Sequence, residues 1–193
     1  MMDHIVVDVE IARTIEQVGG WGATDQMGVA CAVVYEFAND RYRVYGPTDV
    51  EMLKERLLAA GRVTTFNGWK FDFPVIWGLP GRERVEDMRW KSDDLLGRIW
   101  LAQGLDPESF GPKHAGWGLD NVARGTLNAG KIGNGADAPK WFQAGEWAKL
   151  VSYCADDVTL TRNLCSFMDK YGFVVRDAPR QVLRVSEDWC RKA

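Results

Sequence analysis

Short runs of β-branched and aromatic residues, separated by turn-forming residues, mark the first half of the chain. The run that begins at His4 is typical of a buried strand, and two later runs flank an Asn39–Asp40 turn, which predicts a hairpin. Residues 11–27 contain three glycines and predict a loop. The predicted strands, here and further along the chain, comprise residues 4–10, 28–37, 41–45, 63–66, 85–90 and 173–175.

Apolar residues recur at helical spacing most clearly between residues 146 and 170, and Gly172 ends this pattern. An earlier helix is expected to begin at Thr48, because this favourable N-cap has Glu51 three residues later, as in a capping box. Further helices or helical turns are expected after the N-cap candidate Ser92 and over residues 70–77, 120–126 and 180–189.

Strands before and between helices predict one α/β domain over residues 1–193, with a central mixed sheet and helices on both faces. The 24 basic and 27 acidic residues leave a net charge of −3, which argues against a DNA-coating or polybasic membrane-surface protein. The chain begins without a signal-peptide pattern, and its apolar runs are too short to span a bilayer. Its four cysteines lack C-x-x-C spacing, so reduced thiols in a cytoplasmic protein are favoured over disulfides or zinc.

Two acidic residues, Asp8 and Glu10, stand near the end of the first predicted strand. Residues two apart in a strand face the same side, so these carboxylates should project together. Neighbouring anions repel each other, and either protonation or a divalent cation with oxygen ligands relieves the repulsion. A solvated surface pair is the alternative.

Two further acidic positions have distinctive surroundings. Asp72 follows a glycine turn and lies between Phe71 and Phe73, so it is either a helix N-cap or a ligand. Tyr153 and Asp157 are four residues apart on the long helix and are therefore neighbours on one face. Asp157 borders the apolar stripe, whereas the adjacent Asp156 should turn outward; a solvated acidic pair is the alternative for this position.

The ordered set D-x-E at Asp8, N-x-x-x-F-D at 67–72 and Y-x-x-x-D at 153–157 resembles the DEDDy subclass of DEDD 3′–5′ exonucleases. Ser152 stands where the histidine subclass would place its histidine. The resemblance covers residues 4–170 and is strongest to stand-alone or phage-type relatives of the proofreading exonuclease of family B DNA polymerases. It implies a ribonuclease-H-like fold, with a central mixed five-stranded sheet flanked by helices.

The resemblance also implies a two-metal mechanism for hydrolysing single-stranded DNA from its 3′ end, with release of nucleoside monophosphates. Asp8 would bridge two Mg²⁺ or Mn²⁺ ions, Glu10 and Asp157 would complete the first site, and Asp72 would serve the second. Tyr153 would orient the attacking water, since a phenol with a pKa near 10 is protonated at neutral pH.

Substrate contacts are expected beside the second motif. By resemblance, Trp69 and Phe71 lie near the terminal nucleotide, and Asn67 and Lys70 are candidates for sugar and phosphate contacts. Lys131, in a glycine-rich segment, is another candidate, although a solvated surface lysine is as good an explanation for it and for Lys70. The tryptophans expected to be exposed are Trp69 and Trp117.

Three rival functions remain at this point. The segment 125–131 fits the phosphate-loop pattern G-x-x-x-x-G-K, but Ile132 replaces the required Ser or Thr and no strand is predicted before it. A catalytically silent nucleic-acid-binding module would usually lack one or more of the acidic residues. An exoribonuclease or a structure-specific endonuclease would keep the same chemistry and differ in substrate. No replication or repair partner can be named.

Overall fold

A computed structural model describes residues 2–106 and 112–186. Its main feature is a five-stranded sheet in the order β3-β2-β1-β4-β5. β1 pairs antiparallel with β2 and parallel with β4, so the sheet is mixed. The strands are β1 (His4–Ile11), β2 (Val29–Glu36), β3 (Arg41–Tyr45), β4 (Arg62–Thr65) and β5 (Ser92–Asp94).

Helices pack on both faces of this sheet. Successive residues of β1 point to opposite faces, so Val7 and Val9 pack with Phe73 on one side, while Val6 packs with Cys154 on the other. The α/β fold with a central five-stranded mixed sheet is thus confirmed, and it is consistent with a ribonuclease-H-like fold. The helices are α1 (Ile15–Val18), α2 (Val50–Ala59), α3 (Asp72–Trp77), α4 (Arg82–Lys91), α5 (Leu95–Ala102), α6 (Leu119–Leu127), α7 (Ala138–Gln143) and α8 (Trp147–Tyr171).

Two predicted elements have the wrong type. Residues 85–90 lie in helix α4, where the buried Val85 and Met88 follow helical spacing instead of the alternation of a strand. Part of the predicted helix 180–189 is strand β7 (Gln181–Arg184), which pairs antiparallel with β6 (Phe173–Arg176) in a separate two-stranded sheet. This hairpin pairing with the preceding strand overrides the helical pattern, and residues 187–189 lie outside the described part of the chain.

Helix starts also differ from the prediction. The N-cap of α2 is Asp49 instead of Thr48, and no side chain caps this helix. Ser92 belongs to β5, and the N-cap of α5 is Asp94, whose side chain accepts bonds from two amides of the first turn. The predicted loop 11–27 contains α1 and a 3₁₀ segment, Trp21–Gln26.

None of the helices in the described ranges combines the length and the apolar character that crossing a bilayer would require.

Candidate active site

Asp8 and Glu10 lie on the face of β1 that packs against α8. Oxygen atoms of both carboxylates and Sγ of Cys154 all lie within 4.8 Å of one another. The Cys154 thiol donates a hydrogen bond to the main-chain oxygen of Asp8 at 3.3 Å. Strand alternation thus brings the two carboxylates together beneath the long helix.

Asp72 reaches the same strand from the neighbouring element. It is the first residue of α3 and is buried, whereas the N-cap position is Phe71, so Asp72 is not the cap. Its Oδ1 accepts a hydrogen bond of 3.1 Å from the amide of Val9. This amide lies beyond the last β1–β4 pair, at Val6, where a side chain can replace the missing strand partner.

Tyr153 and Asp157 complete the cluster from α8, and both are buried. Lys131 pairs with Asp157 at 2.5 Å between Nζ and Oδ2, and its ammonium group lies 5.1 Å from the centre of the Tyr153 ring. Within the described ranges, the Tyr153 hydroxyl and Oδ1 of Asp157 are buried without a hydrogen-bond partner. Asp156 is only partly buried.

The loop after α6 holds Lys131 in this position. The Asp120 carboxylate accepts hydrogen bonds from the Lys131 amide and from Nε of Arg124, both at 2.8 Å. A Cβ on Gly133 would lie 3.0 Å from the Tyr153 ring, so the loop approaches the ring closely. Lys131 is therefore part of the cluster and is not a solvated surface lysine.

This environment also bears on the phosphate-loop pattern at 125–131. Gly125 lies within helix α6, and Lys131 pairs with a carboxylate. A strand, loop and helix in that order are the context that a phosphate loop requires, and the described segment lacks it.

The electrostatics of the cluster favour additional cations. Burial, reinforced by the Asp157 carboxylate, raises the pKa of Asp8 to about 8, although Lys131 opposes the shift. Burial and the neighbouring Asp8 carboxylate also raise the pKa values of Glu10 and Asp72 well above their ordinary range. Three of the carboxylates, Asp8, Glu10 and Asp157, thus share the ammonium group of Lys131, and Asp72 adds a fourth negative group beside Asp8.

The donor set fits hard divalent cations. Asp8, Glu10, Asp72 and Asp157 offer carboxylate oxygens, which Mg²⁺ and Mn²⁺ prefer, and Oδ1 of Asp157 is buried without a protein partner. Bound cations would relieve the repulsion that raises the pKa values. The acidic cluster is therefore a possible metal site.

The loop before Asp72 is built around Asp94. The Asp94 carboxylate accepts hydrogen bonds from the amides of Asn67 (2.9 Å) and Trp69 (3.0 Å) while it caps α5. Burial raises the pKa of Asp94 to about 6, although these amides oppose the shift. Asp94 thereby fixes the segment that carries Asn67, Lys70 and Phe71 next to the carboxylates.

The expected exposure of two tryptophans is wrong. Trp69 is 4% exposed; its Nε1 donates a 2.7 Å hydrogen bond to Ser92, and its ring packs on Gly97. Trp117 is fully buried. Both rings belong to the hydrophobic core, because burying a large aromatic surface stabilises the fold more than leaving it exposed to solvent. Phe71 is only partly buried and stays beside the cluster.

Sequence reasoning missed Asp94, Asp120 and Cys154. Asp94 precedes the apolar start of α5 as plausibly as Ser92 does, so its type and position were a usable signal. Asp120 and Cys154 act through partners 11 and 146 residues away, and no local pattern reveals such contacts.

Comparison with known proteins supports the fold. No protein-family model matches the chain, and no curated protein matches its sequence. Among solved structures, it is similar to the family B DNA polymerase from the hyperthermophilic archaeon Pyrobaculum calidifontis, with a TM-score of 0.56 and 14% identity. The match covers 87% of this chain and 24% of the polymerase, so the chain spans about a quarter of that protein's length. At this identity the likeness shows the fold alone.

Proposed function

We propose that the protein is a metal-dependent 3′–5′ exonuclease that hydrolyses single-stranded DNA to nucleoside monophosphates. The convergence of Asp8, Glu10 and Asp157 near Lys131, with the buried Asp72 beside Asp8, is the observation that carries the proposal. Stability alone does not explain four neighbouring carboxylates among which, within the described residues, Lys131 forms an ion pair with Asp157 alone, whereas metal-assisted phosphoryl chemistry uses such a set. The fold shared with a DNA polymerase favours DNA as substrate.

The four carboxylates would hold Mg²⁺ or Mn²⁺ ions. Bound there, the ions would supply Lewis-acid polarisation of the phosphodiester and a lowered pKa for the attacking water. Hydrolysis forms a bond between the water oxygen and phosphorus and breaks the bond from phosphorus to the O3′ of the preceding nucleotide.

Tyr153 and Lys131 would position the reacting groups. Burial raises the pKa of Tyr153 above its ordinary value, so its hydroxyl keeps its proton and can orient a water by hydrogen bonding. Although burial opposes it, the carboxylates of Asp157 and Asp8 raise the pKa of Lys131, which stays a cation. This ammonium group would contact a phosphate oxygen, while Asn67, Lys70 and Phe71 would contact the terminal nucleotide.

A time course with oligonucleotides labelled at either the 3′ or the 5′ end tests the proposal, with DNA and RNA side by side. We expect immediate release of labelled mononucleotide from the 3′ end, a ladder from the 5′ end, faster hydrolysis of DNA, and complete inhibition by chelator. If no chelator-sensitive cleavage is seen, the protein would instead be a catalytically silent nucleic-acid-binding module. Preference for RNA, or internal cuts, would identify an exoribonuclease or an endonuclease instead.

A further inference from the structure

The segment between β1 and β2 displays a large aromatic side chain to solvent. Trp21, the first residue of the 3₁₀ segment, is 66% exposed. Its ring centre lies 6.4 Å from that of Phe71 in a tilted arrangement. An apolar ring of this size is usually buried, so its exposure needs an explanation.

Hydrogen bonds anchor the segment that carries Trp21. The amides of Ala12 and Arg13 bond to the carbonyls of Gly28 (2.9 Å) and Met27 (3.1 Å), which extends the β1–β2 pairing. On the other side, Nε2 of Gln143 donates to the Ala12 carbonyl at 3.0 Å. The 3₁₀ segment also packs against α3. These contacts fix the segment at both ends, so Trp21 is held in a defined, solvent-exposed position.

The position of the ring connects it with the acidic cluster. Phe71 immediately precedes Asp72, whose carboxylate bonds to the Val9 amide. The Trp21–Phe71 pair thus flanks the end of β1 where the carboxylates lie. Arg13, three residues after Glu10, is exposed at this end, and its guanidinium lies over Gly28. Within residues 2–106 and 112–186, Arg13 has no ion-pair partner.

An exposed aromatic ring beside an unpaired guanidinium is a combination suited to single-stranded nucleic acid. Bases stack on aromatic faces whatever their sequence, and cationic side chains neutralise the phosphates between them. We propose that Trp21, together with Phe71, stacks an unpaired base near the 3′ end of the substrate strand and that Arg13 contacts its backbone. The inference rests on the proposed function and extends it to the strand that enters the site.

Binding without turnover tests the inference directly. The probe is a single-stranded oligonucleotide carrying 2-aminopurine near its 3′ end, with Ca²⁺ replacing Mg²⁺. We expect binding to quench the probe, and Trp21→Ala to abolish the quenching and raise Kd roughly 10-fold, since stacking on one aromatic side chain is worth about 1–3 kcal/mol per base. Trp21→Phe should restore most of both signals. Arg13→Ala should lower the salt dependence of log Kd by about 1.

Trp147→Ala is the matched control, because Trp147 is 45% exposed and packs on Phe142, away from the second motif. It should bind and quench as the wild type does. Equal loss in Trp21→Ala and Trp147→Ala, or wild-type binding by Trp21→Ala, would overturn the inference. Binding of a protein partner in place of the oligonucleotide would overturn it as well.

A small substrate separates the stacking surface from the chemistry. The p-nitrophenyl ester of thymidine 5′-monophosphate reports hydrolysis without an extended strand. Trp147→Ala should hydrolyse it with wild-type kcat and KM, whereas Trp21→Ala should lose much less kcat on this ester than on the oligonucleotide, since the carboxylates are untouched. A large drop in this kcat would mean a disturbed acidic cluster and would overturn the stacking role. If the wild-type protein hydrolyses neither substrate but quenches the probe in a Trp21-dependent way, the proposed function fails while the stacking surface stands.

Discussion

Two charge clusters with buried members lie along α8 and differ in how their charges are balanced. In the first, Arg62 and Arg98 pair with Asp93 and Asp169, with Nη1 of each arginine 2.7 and 3.1 Å from the Asp169 carboxylate. Arg62 also pairs with Asp93. In the second, Asp8, Glu10 and Asp157 lie close enough to Lys131 to share its charge, and Asp72 lies beside Asp8 without it. The first cluster contains as many positive as negative groups, whereas the second is strongly negative.

The difference appears in the pKa values. In the first cluster the two guanidinium groups hold the pKa of Asp169 below its ordinary value against the effect of burial, whereas burial raises the pKa of Asp93 although both guanidinium groups oppose the shift. Burial and like charges instead raise the pKa of Asp8 to about 8. A balanced cluster pairs its own charges and joins elements of the fold, although Oδ1 of Asp93 has no hydrogen-bond partner within the described residues, whereas an unbalanced cluster favours a cation from outside. The comparison therefore separates structural charges from those available for chemistry.

The largest effect is expected from removing one carboxylate of the unbalanced cluster. Asp157→Asn should lower the rate of DNA hydrolysis by about 10³-fold or more, because a metal site supplies several kcal/mol of charge stabilisation. Its melting temperature should change little, because the relief of repulsion with Asp8 offsets the loss of the ion pair with Lys131. Asp156→Asn is the control and should keep its activity. Labelled-oligonucleotide assays and thermal melts check both; an equally inactive Asp156→Asn would contradict the assignment of Asp157.

The opposite result is expected in the balanced cluster. Arg62→Met leaves buried Asp93 without one of its cations and should lower the free energy of unfolding by about 3–5 kcal/mol. The rate per folded molecule should change little. Denaturant titration measures the loss, and Arg84→Met, at an exposed i,i+3 pair, should cost at most about 1 kcal/mol. A stable Arg62→Met protein would show that the cluster is not structural.

A smaller effect is expected from the tyrosine. Tyr153→Phe removes a buried hydroxyl that has no hydrogen-bond partner among the described residues, so the fold should keep its stability. If the hydroxyl orients water, kcat should fall by about 10- to 100-fold while binding of the strand persists. The exposed Tyr171 provides the control as Tyr171→Phe. Full activity of Tyr153→Phe under single-turnover conditions would remove the proposed role.

The smallest effect is a pH dependence of stability in chelator-treated protein. The pKa of Asp8 rises from 3.8 to about 8 on folding, so the folded state binds more protons between these values. Stability should therefore be highest near pH 4 and fall as the pH rises towards 8. Asp8→Asn should flatten this slope in part, because Asp94, with a pKa raised to about 6, contributes in the same direction.

Thermal melts between pH 4 and 8, with and without Mg²⁺, measure this dependence. Mg²⁺ should raise the melting temperature most at the alkaline end, where the carboxylates are ionised. Glu51→Gln, at an exposed position on α2, should leave the slope unchanged. A wild-type slope of opposite sign would contradict the proposed repulsion.

Local periodicity carried much of the prediction. Alternation along β1 placed Asp8 and Glu10 on one face, and helical spacing placed Tyr153 and Asp157 together on α8; the structure has both arrangements. The mixed five-stranded sheet agrees with the predicted ribonuclease-H-like fold. These features depend on backbone geometry that repeats every two or about 3.6 residues, so the sequence contains them directly.

Other features depend on which distant segments meet. The short apolar spacing at 85–90 fits a strand as well as a helix, and packing of α4 against α3 and β5 selects the helix. Trp69 is buried because Gly97 leaves space for its ring, and Lys131 joins the cluster because Asp120 holds its amide. The amino-acid sequence by itself was enough to identify the carboxylates and to predict which of them share a face of β1 or α8. Only the tertiary structure decided their neighbours and their pKa values, because burial and charge proximity are properties of the packed chain.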